Sequence, residues 1–324
     1  MSAVPARPWW RTPAGLLAGA GLLVGALAPL LANDVPLWAR IDGVWHFPAF
    51  AECFGRSVPG PGDGTWKQWW AALPNGSRDF ACMPPWPYGP QETNTLHFGG
   101  LPSFAHPFGN DDTGRDVLAR SVHALRAVVA VGGPAVLLAG VVGTLLGGVA
   151  GLRGGRGDAV VLRLVEVTMC FPMLLFLLFG ASFLGDSRLG VVAVLAMVFW
   201  PSFARIVRSE LRSLREREFV QVARGLGVGE WRIFTHHLLP QLWSPVGVTA
   251  AFCMASAAVA ESTLSFLGIG PGQEASSFGS LLRQGVANAH LGAWHLWLFP
   301  SVALVLVVVC CHALAERLRR GPCA

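Results

Sequence analysis

Glu261, Ser262 and Ser265 come nearest to a reactive set in this chain, a carboxyl group and two hydroxyls within about one helical turn. A nucleophilic hydrolase needs more: a base within hydrogen-bond reach of the hydroxyl and a third group to orient that base. No Gly-x-Ser-x-Gly turn is present to present a serine. His236 and His237 are adjacent, so they cannot share a helix face as the two imidazoles of a His-Glu-x-x-His zinc motif do. ATP hydrolysis on a phosphate-cradling loop needs a Lys that follows a Gly, and the single Lys, Lys67, follows Trp66. These patterns exclude an ATPase, suggest no metal site and leave an intramembrane hydrolase a poor second reading. Glu261 has a different interest. It is ionisable, lies near the end of an otherwise apolar segment, and must face protein or water rather than lipid. With Ser265 it is a candidate for lining a path across the membrane, or for holding a helix contact.

The stretch from Arg215 to Pro240 offers recognition rather than reaction. Phe219, Val222, Ala223 and Leu226 fall at i, i+3, i+4 and i+7, so a helix here carries one apolar face. Arg217, Gln221 and Arg224 occupy another. Gly227, after Gly225, can end that helix in the left-handed conformation, and Leu239-Pro240 marks the end of a second short one. A helix-turn-helix too polar to cross a bilayer suits the groove of a soluble partner.

The elements that hold these residues are apolar. Of 324 residues, 53% are hydrophobic and 13% charged, far from the balance of a soluble domain. Apolar spans run over 14–32, 127–152, 160–185, 189–204, 242–260 and 294–315, several of them close to the ~20 residues that cross a bilayer as a helix. The fourth is marginal, bounded by Arg188 and Arg205. With the N-terminus in the cytoplasm, most of the 24 Lys and Arg fall inside, including the cluster from Arg205 to Arg232, as the positive-inside rule requires. Arg115, Arg120 and Arg126 run against it. The Arg residues border spans instead of forming one patch, which argues against nucleic acid as a partner. The first span exceeds the usual signal-peptide core, so a retained helix is expected.

Between the first two spans lies an insertion from residue 33 to about 112, rich in Pro, Gly and Trp. It is too long for an idle loop. Trp38, Trp45, Trp66, Trp69, Trp70 and Trp86 give it surface enough to fold as a small lobe or to lie at the membrane interface. Cys53 and Cys82, both within it, are a candidate disulfide in an oxidising compartment. Its end, His106-Pro107-Phe108-Gly109-Asn110-Asp111-Asp112-Thr113-Gly114-Arg115-Asp116, reads as a turn and an acidic helix start. Further on, Gly143, Gly147 and Gly151 clear one helix face, for a two-subunit pore or for packing within the chain. Pro134, Pro172 and Pro201 interrupt spans as hinges or simple kinks.

Several of these motifs, in order, resemble the permeases of binding-protein-dependent ABC importers. Gln221-Val222-Ala223, Gly227 and His237-Leu238-Leu239-Pro240 stand where that family has Glu-Ala-Ala, Gly and Ile-x-Leu-Pro. His106 to Asp116, Glu261-Ser262-Thr263-Leu264-Ser265-Phe266-Leu267-Gly268 and Phe278-Gly279-Ser280-Leu281-Leu282 are similar to signatures of the dipeptide and oligopeptide branch. Ala32-Asn33-Asp34-Val35-Pro36-Leu37 and Asp42-Gly43-Val44-Trp45-His46-Phe47-Pro48 resemble Yej-type permeases, importers of peptides and of microcin C. The C-terminus departs from the family's Gly-Asp-Gly ending.

The resemblance implies an all-α polytopic membrane protein with six transmembrane helices in the type I importer fold. Its parts would be a cytoplasmic N-terminus (1–13), a first helix (14–32), a periplasmic insertion with an interfacial helix (33–122), a five-helix core (123–315) with the coupling loop at 205–240, and a cytoplasmic tail (316–324). It also implies a non-catalytic subunit of the bacterial inner membrane, paired with a second permease, a cytoplasmic ATPase that binds ATP and Mg, and a periplasmic peptide-binding protein. Dipeptides or nickel are alternative cargoes, and a stand-alone channel or carrier is a more distant reading.

Overall fold

The computed structural model describes residues 13–53, 58, 60, 65–73, 79–94, 98–184, 187–269 and 276–319. Helix α1 (Pro13–Ala26) is built from Ala, Gly, Leu and Val after its opening proline. At ~1.5 Å per residue it is shorter than a hydrocarbon core. The backbone breaks at Leu27 before a single turn, α2 (Ala28–Leu31), with Pro29 in its first turn. The span expected over 14–32 is therefore interrupted where proline has no N–H to continue the ladder.

The insertion folds as a small lobe. Strands β1 (Trp38–Ile41) and β2 (Val44–His46) pair antiparallel across Asp42-Gly43, whose φ values are 50° and 82°. Asp-Gly favours such a two-residue hairpin turn. After α3 (Pro48–Cys53) and α4 (Trp66–Ala71), β3 (Phe80–Cys82) pairs with the other edge of β1. Val35, Ala39, Ala49 and Trp66 are buried together. The expectation of an all-α chain is corrected here, because runs this short satisfy their backbone by pairing across a tight turn.

Helix α5 (Val117–Arg153) starts ahead of the expected span because Asp116 caps it, its side chain accepting from the Ala119 N–H. Helices α6 (Gly155–Cys170) and α7 (Met173–Leu184) meet at Phe171-Pro172 with a bend of 86°, so the single span expected over 160–185 is a bent pair. Helix α8 (Arg188–Arg215) continues past Arg205. Then come α9 (Glu218–Gly225), α10 (Glu230–Ile233), a π turn (Phe234–Leu238) and α11 (Leu239–Phe266). Pro240 lies in the first turn of α11 and does not end a separate helix, because α10, the π turn and α11 follow one another directly. Helices α12 (Phe278–Ala287) and α13 (His295–Arg319) complete the chain. Among the described residues, α5, α8, α11 and α13 are long and apolar enough to cross a membrane, and the bent pair makes up to a fifth.

The glycine row of α5 packs against α8. A Cβ at Gly143 would lie 2.5 Å from Phe203, one at Gly147 would strike the Ala204 backbone, and one at Gly151 would lie 2.9 Å from Leu211. The row thus serves close packing within the chain. Val131, Ala135, Leu177, Leu195, Phe199, Phe203 and Leu264 form the main core between α5, α7, α8 and α11. Outward, α5 and α13 present Leu137, Leu145, Val305, Leu306 and Val309. So much exposed apolar surface suits hydrocarbon rather than water.

Candidate functional site

At one end of the bundle α8 leads into the helix-turn-helix. Val207, Leu211 and Leu214 of α8, Val220 of α9, Ile233 of α10, Leu238 and Leu242 form a small core of their own. Arginines brace it. Arg208 and Arg212 both pair with Asp158 of α6, and Arg215 donates to the Gly151 (3.1 Å) and Leu152 carbonyls at the end of α5. A cation there also meets the negative end of the helix dipole.

On this base α9 turns Val220 inward and leaves Phe219 (39% exposed) and Val222 (61%) outward, with Leu226 (78%) exposed in the turn that follows. Of the apolar residues expected on one face, Phe219, Val222 and Leu226 are exposed among the described residues. Gln221 donates to the Glu216 carbonyl at 3.1 Å, Arg217 and Gly225 are exposed, and the side chains of Ala223 and Arg224 lie outside the described ones. Gly227 has φ +78°, and a Cβ placed on it would meet no atom within 4 Å, so its backbone conformation, not crowding, demands glycine. Leu239 is half-buried and Pro240 exposed.

At the opposite end the His106 to Asp116 motif is a closed network. Asp111 is fully buried and accepts from the Thr113 N–H (2.9 Å) and hydroxyl (2.8 Å), the Arg115 N–H and Nε (both 2.8 Å), and Arg120. Burial alone would raise its carboxyl, but Arg120, the Arg115 N–H, Thr113 and the Arg115 charge outweigh that and hold it below the usual carboxylate range. Arg120 also donates to Gln284 of α12 at 2.5 Å. Asp116 accepts from Trp86 Nε1 at 3.1 Å and lies 2.7 Å from His106 Nδ1. Gly114, at φ +80°, sits where a Cβ would strike the Asn94 carbonyl. The motif joins the lobe, α5 and α12, and His295 of α13 meets the Asn110 carbonyl at 3.1 Å.

On the side of the bundle a cleft of about 860 Å³ opens between the α6–α7 bend, α8 and α11. Its polar lining is Thr168, Ser202, Arg205, Ser209, Thr249 and Ser256. A second cavity, about 440 Å³, shares Met173 and Ser256 with it and continues to Thr263 and His312. Thr249, Ser256 and Thr263 recur at every seventh residue of α11, a hydroxyl stripe roughly 21 Å long at ~1.5 Å per residue. The sequence contains that period but hides it, because each hydroxyl sits singly among apolar neighbours.

Glu261 and Ser265 line neither cavity. Glu261 is 1% exposed and accepts from the Ser265 hydroxyl at 2.8 Å, while its Oε2 has no partner among the described residues. Beside them, Gly279 of α12 approaches the Ser262 carbonyl so closely that no Cβ would fit. Cys53 ends α3, Cys82 ends β3, and both are free thiols.

Long apolar helices carrying a polar helix-turn-helix and an internal polar seam define a membrane transport subunit. The comparisons give the family: residues 143–321 match the binding-protein-dependent transport system inner membrane component, and the chain belongs to that family. It is a non-catalytic permease component of an ABC transporter. A Brucella suis protein whose name describes a peptide permease is 37% identical over 245 residues, 74% of this chain and 81% of that protein. The oligopeptide transport system permease protein OppC of Haemophilus influenzae is 31% identical over 244 residues, 74% of this chain and 78% of that protein. Among solved structures, a chain of the inward-facing MetNI methionine ABC transporter matches with a TM-score of 0.53 and 17% identity. That match covers 63% of this chain and 96% of that one and concerns the fold alone.

Proposed function

We propose that this chain is a peptide-importing permease subunit whose α9–α10 element receives the stroke of a partner ATPase. The observation that carries the reading is the exposed apolar face of Phe219, Val222 and Leu226, mounted on a buried core and braced by Arg208, Arg212 and Arg215. A face of this kind, on a helix fixed to α8 and continuous through the π turn with α11, can pass a push into both. Transmission requires that the ATPase bind the loop with unequal affinity in its two states. ATP and Mg reside on that ATPase.

The chain works with a second permease and a periplasmic peptide-binding protein. Both termini are cytoplasmic, the lobe is periplasmic, and the apolar span over 14–32 supplies a sixth crossing. Peptide cargo is supported by the names of the relatives, and a Yej-type cargo by the residue pattern from Ala32 to Pro48. The cargo path runs along the hydroxyl stripe of α11. Glu261 and Ser265 act at its flank, holding the α11–α12 contact.

Affinity purification of the tagged protein from mild detergent, with mass spectrometry of what accompanies it, tests the assignment. The expected result is a second permease and an ATPase with the wild type, and loss of the ATPase with Gly227→Val. A chain that purifies alone and transports without ATP would overturn it.

A further inference from the structure

We infer that Arg205 is the position at which the cargo path holds a carboxylate of the transported molecule. Four arginines follow one another along α8 at positions 205, 208, 212 and 215. Three of them have partners within the chain, Arg208 and Arg212 on the shared Asp158 carboxylate and Arg215 on the carbonyls that end α5. Arg205 alone of the four has no hydrogen bond or ion pair among the described residues, and it lines the 860 Å³ cavity. Its side chain is exposed into that open cleft towards the cytoplasmic end of α8, where its donors meet no acceptor among the described residues. Here it stands between Ser202 and Ser209, at i−3 and i+4 on the same helix, and both hydroxyls line the same cavity.

Among the described residues, no carboxylate from this chain shares the lining. Its residues are hydroxyl-bearing, apolar or sulfur-bearing apart from Arg205 itself. The charge therefore awaits an anion that arrives from outside the chain. A planar guanidinium takes a carboxylate through two parallel hydrogen bonds, and the cavity volume lies within the range that encloses a small ligand. The bound group is either the C-terminal carboxylate of a peptide or an acidic side chain, which offer the same chemistry. From there the hydroxyls of Thr249, Ser256 and Thr263 give an extended backbone successive weak partners. The inference rests on the peptide-permease reading above.

The test uses the whole transporter, with its second permease, ATPase and binding protein, in proteoliposomes. Uptake by Arg205→Gln relative to wild type is measured for three peptides: one with a free C-terminus and no acidic side chain, its C-terminal amide, and an amidated peptide carrying Glu. Taking the ratio for each peptide cancels selection by the binding protein. The expected result is a fall on the order of tenfold for the free acid, with the amide unchanged. The Glu-bearing amide then identifies the source: a matching fall means any carboxylate is held, no change means the terminus.

Equal losses for acid and amide, or no loss for either, would overturn the inference. So would loss of the second permease from the purified Arg205→Gln complex, since the anion would then belong to that subunit. Should the Arg205→Gln chain itself not be produced in the membrane, Arg205→Lys keeps the charge without the fork. It is expected to lower acid uptake about threefold and spare the amide, and equal losses again overturn the proposal. If the wild-type transporter carries none of the three peptides, the peptide reading fails instead.

Discussion

The His106 to Asp116 motif and the Arg215 to Pro240 loop stand at opposite ends of α5, and they spend their polar and apolar groups in opposite ways. At the first, a fully buried carboxylate is surrounded by donors from its own turn and from α5, and Arg120 passes the network on to α12. At the second, three apolar side chains lie open on and just past a helix that is anchored by the buried Val220. A network closed on itself fixes a shape. An open face on a rigid mount is made for something that comes and goes. Both segments carry strong family-like motifs, so the motif by itself does not separate scaffold from docking surface; satisfaction of the groups does.

Removing a member of the closed network should have the largest effect. Asp111→Ala strands Arg120, whose side chain is 5% exposed, and leaves the donors of Thr113 and Arg115 unmatched. Leaving one charge of a buried pair uncompensated costs about 3–5 kcal/mol. Thermal unfolding in detergent should show a sharp drop in the midpoint, and a midpoint within a degree or two of wild type would break the contrast.

The open face is sharpened by two neighbours on α9. Val220 is fully buried, so Val220→Ala should cost about 2 kcal/mol of stability. Val222 is exposed, and Val222→Ser should change stability by less than about 0.5 kcal/mol while weakening retention of the ATPase. Equal effects of the two on unfolding would mean that α9 is packed on both sides. Gly227→Val should act by backbone alone. Forcing a side chain into the left-handed region costs roughly 1–2 kcal/mol, and with open space around it the cost stays in the turn. Insertion and folding should survive while ATP-dependent uptake is lost; normal uptake would remove the turn from the coupling path.

Much of this was legible in the sequence, for identifiable reasons. Phe219, Val222 and Leu226 could be read because helical spacing alone sorts one face from another. Asp116 could be read as a cap because Asp before an apolar run has a local role. The bend at Phe171-Pro172 was half-legible: proline announced an interruption but not its 86° angle, which depends on what α6 and α7 pack against. The lobe's sheet was signalled by Asp42-Gly43, a hairpin turn hidden in a segment otherwise notable for its Trp content. The clamp of Asp158 on Arg208 and Arg212 joins residues about fifty apart, and no local pattern encodes such a pairing. For Glu261 the sequence supplied the right environment, interior rather than lipid, but could not say which interior; helix rotation buries it against Ser265 of its own helix and away from the two cavities.

The smallest expected effect concerns acid, and it separates the motif from the lobe beside it. Asp111 has a folded pKa below its ordinary value of ~3.9. Its contribution is therefore fully present above that value and is lost only as pH falls through the lowered folded pKa. Asp34 and Glu52 in the lobe shift the other way, pushed up by burial first and then by neighbouring carboxylates, Glu92 for Asp34 and Asp34 for Glu52. A raised folded pKa on an acid means stability that is greatest below the ordinary value and lost as pH rises through the folded one. Lowering the pH from 7 toward 4.5 should accordingly tighten the lobe slightly and leave the Asp111 turn as it was. Amide hydrogen exchange, corrected for its intrinsic pH dependence, reads both segments in one experiment: protection should rise over 33–53 and stay level over 109–117. A lobe that loosens as the solution is acidified would show that its carboxylates are held by unpaired cations rather than disfavoured by burial.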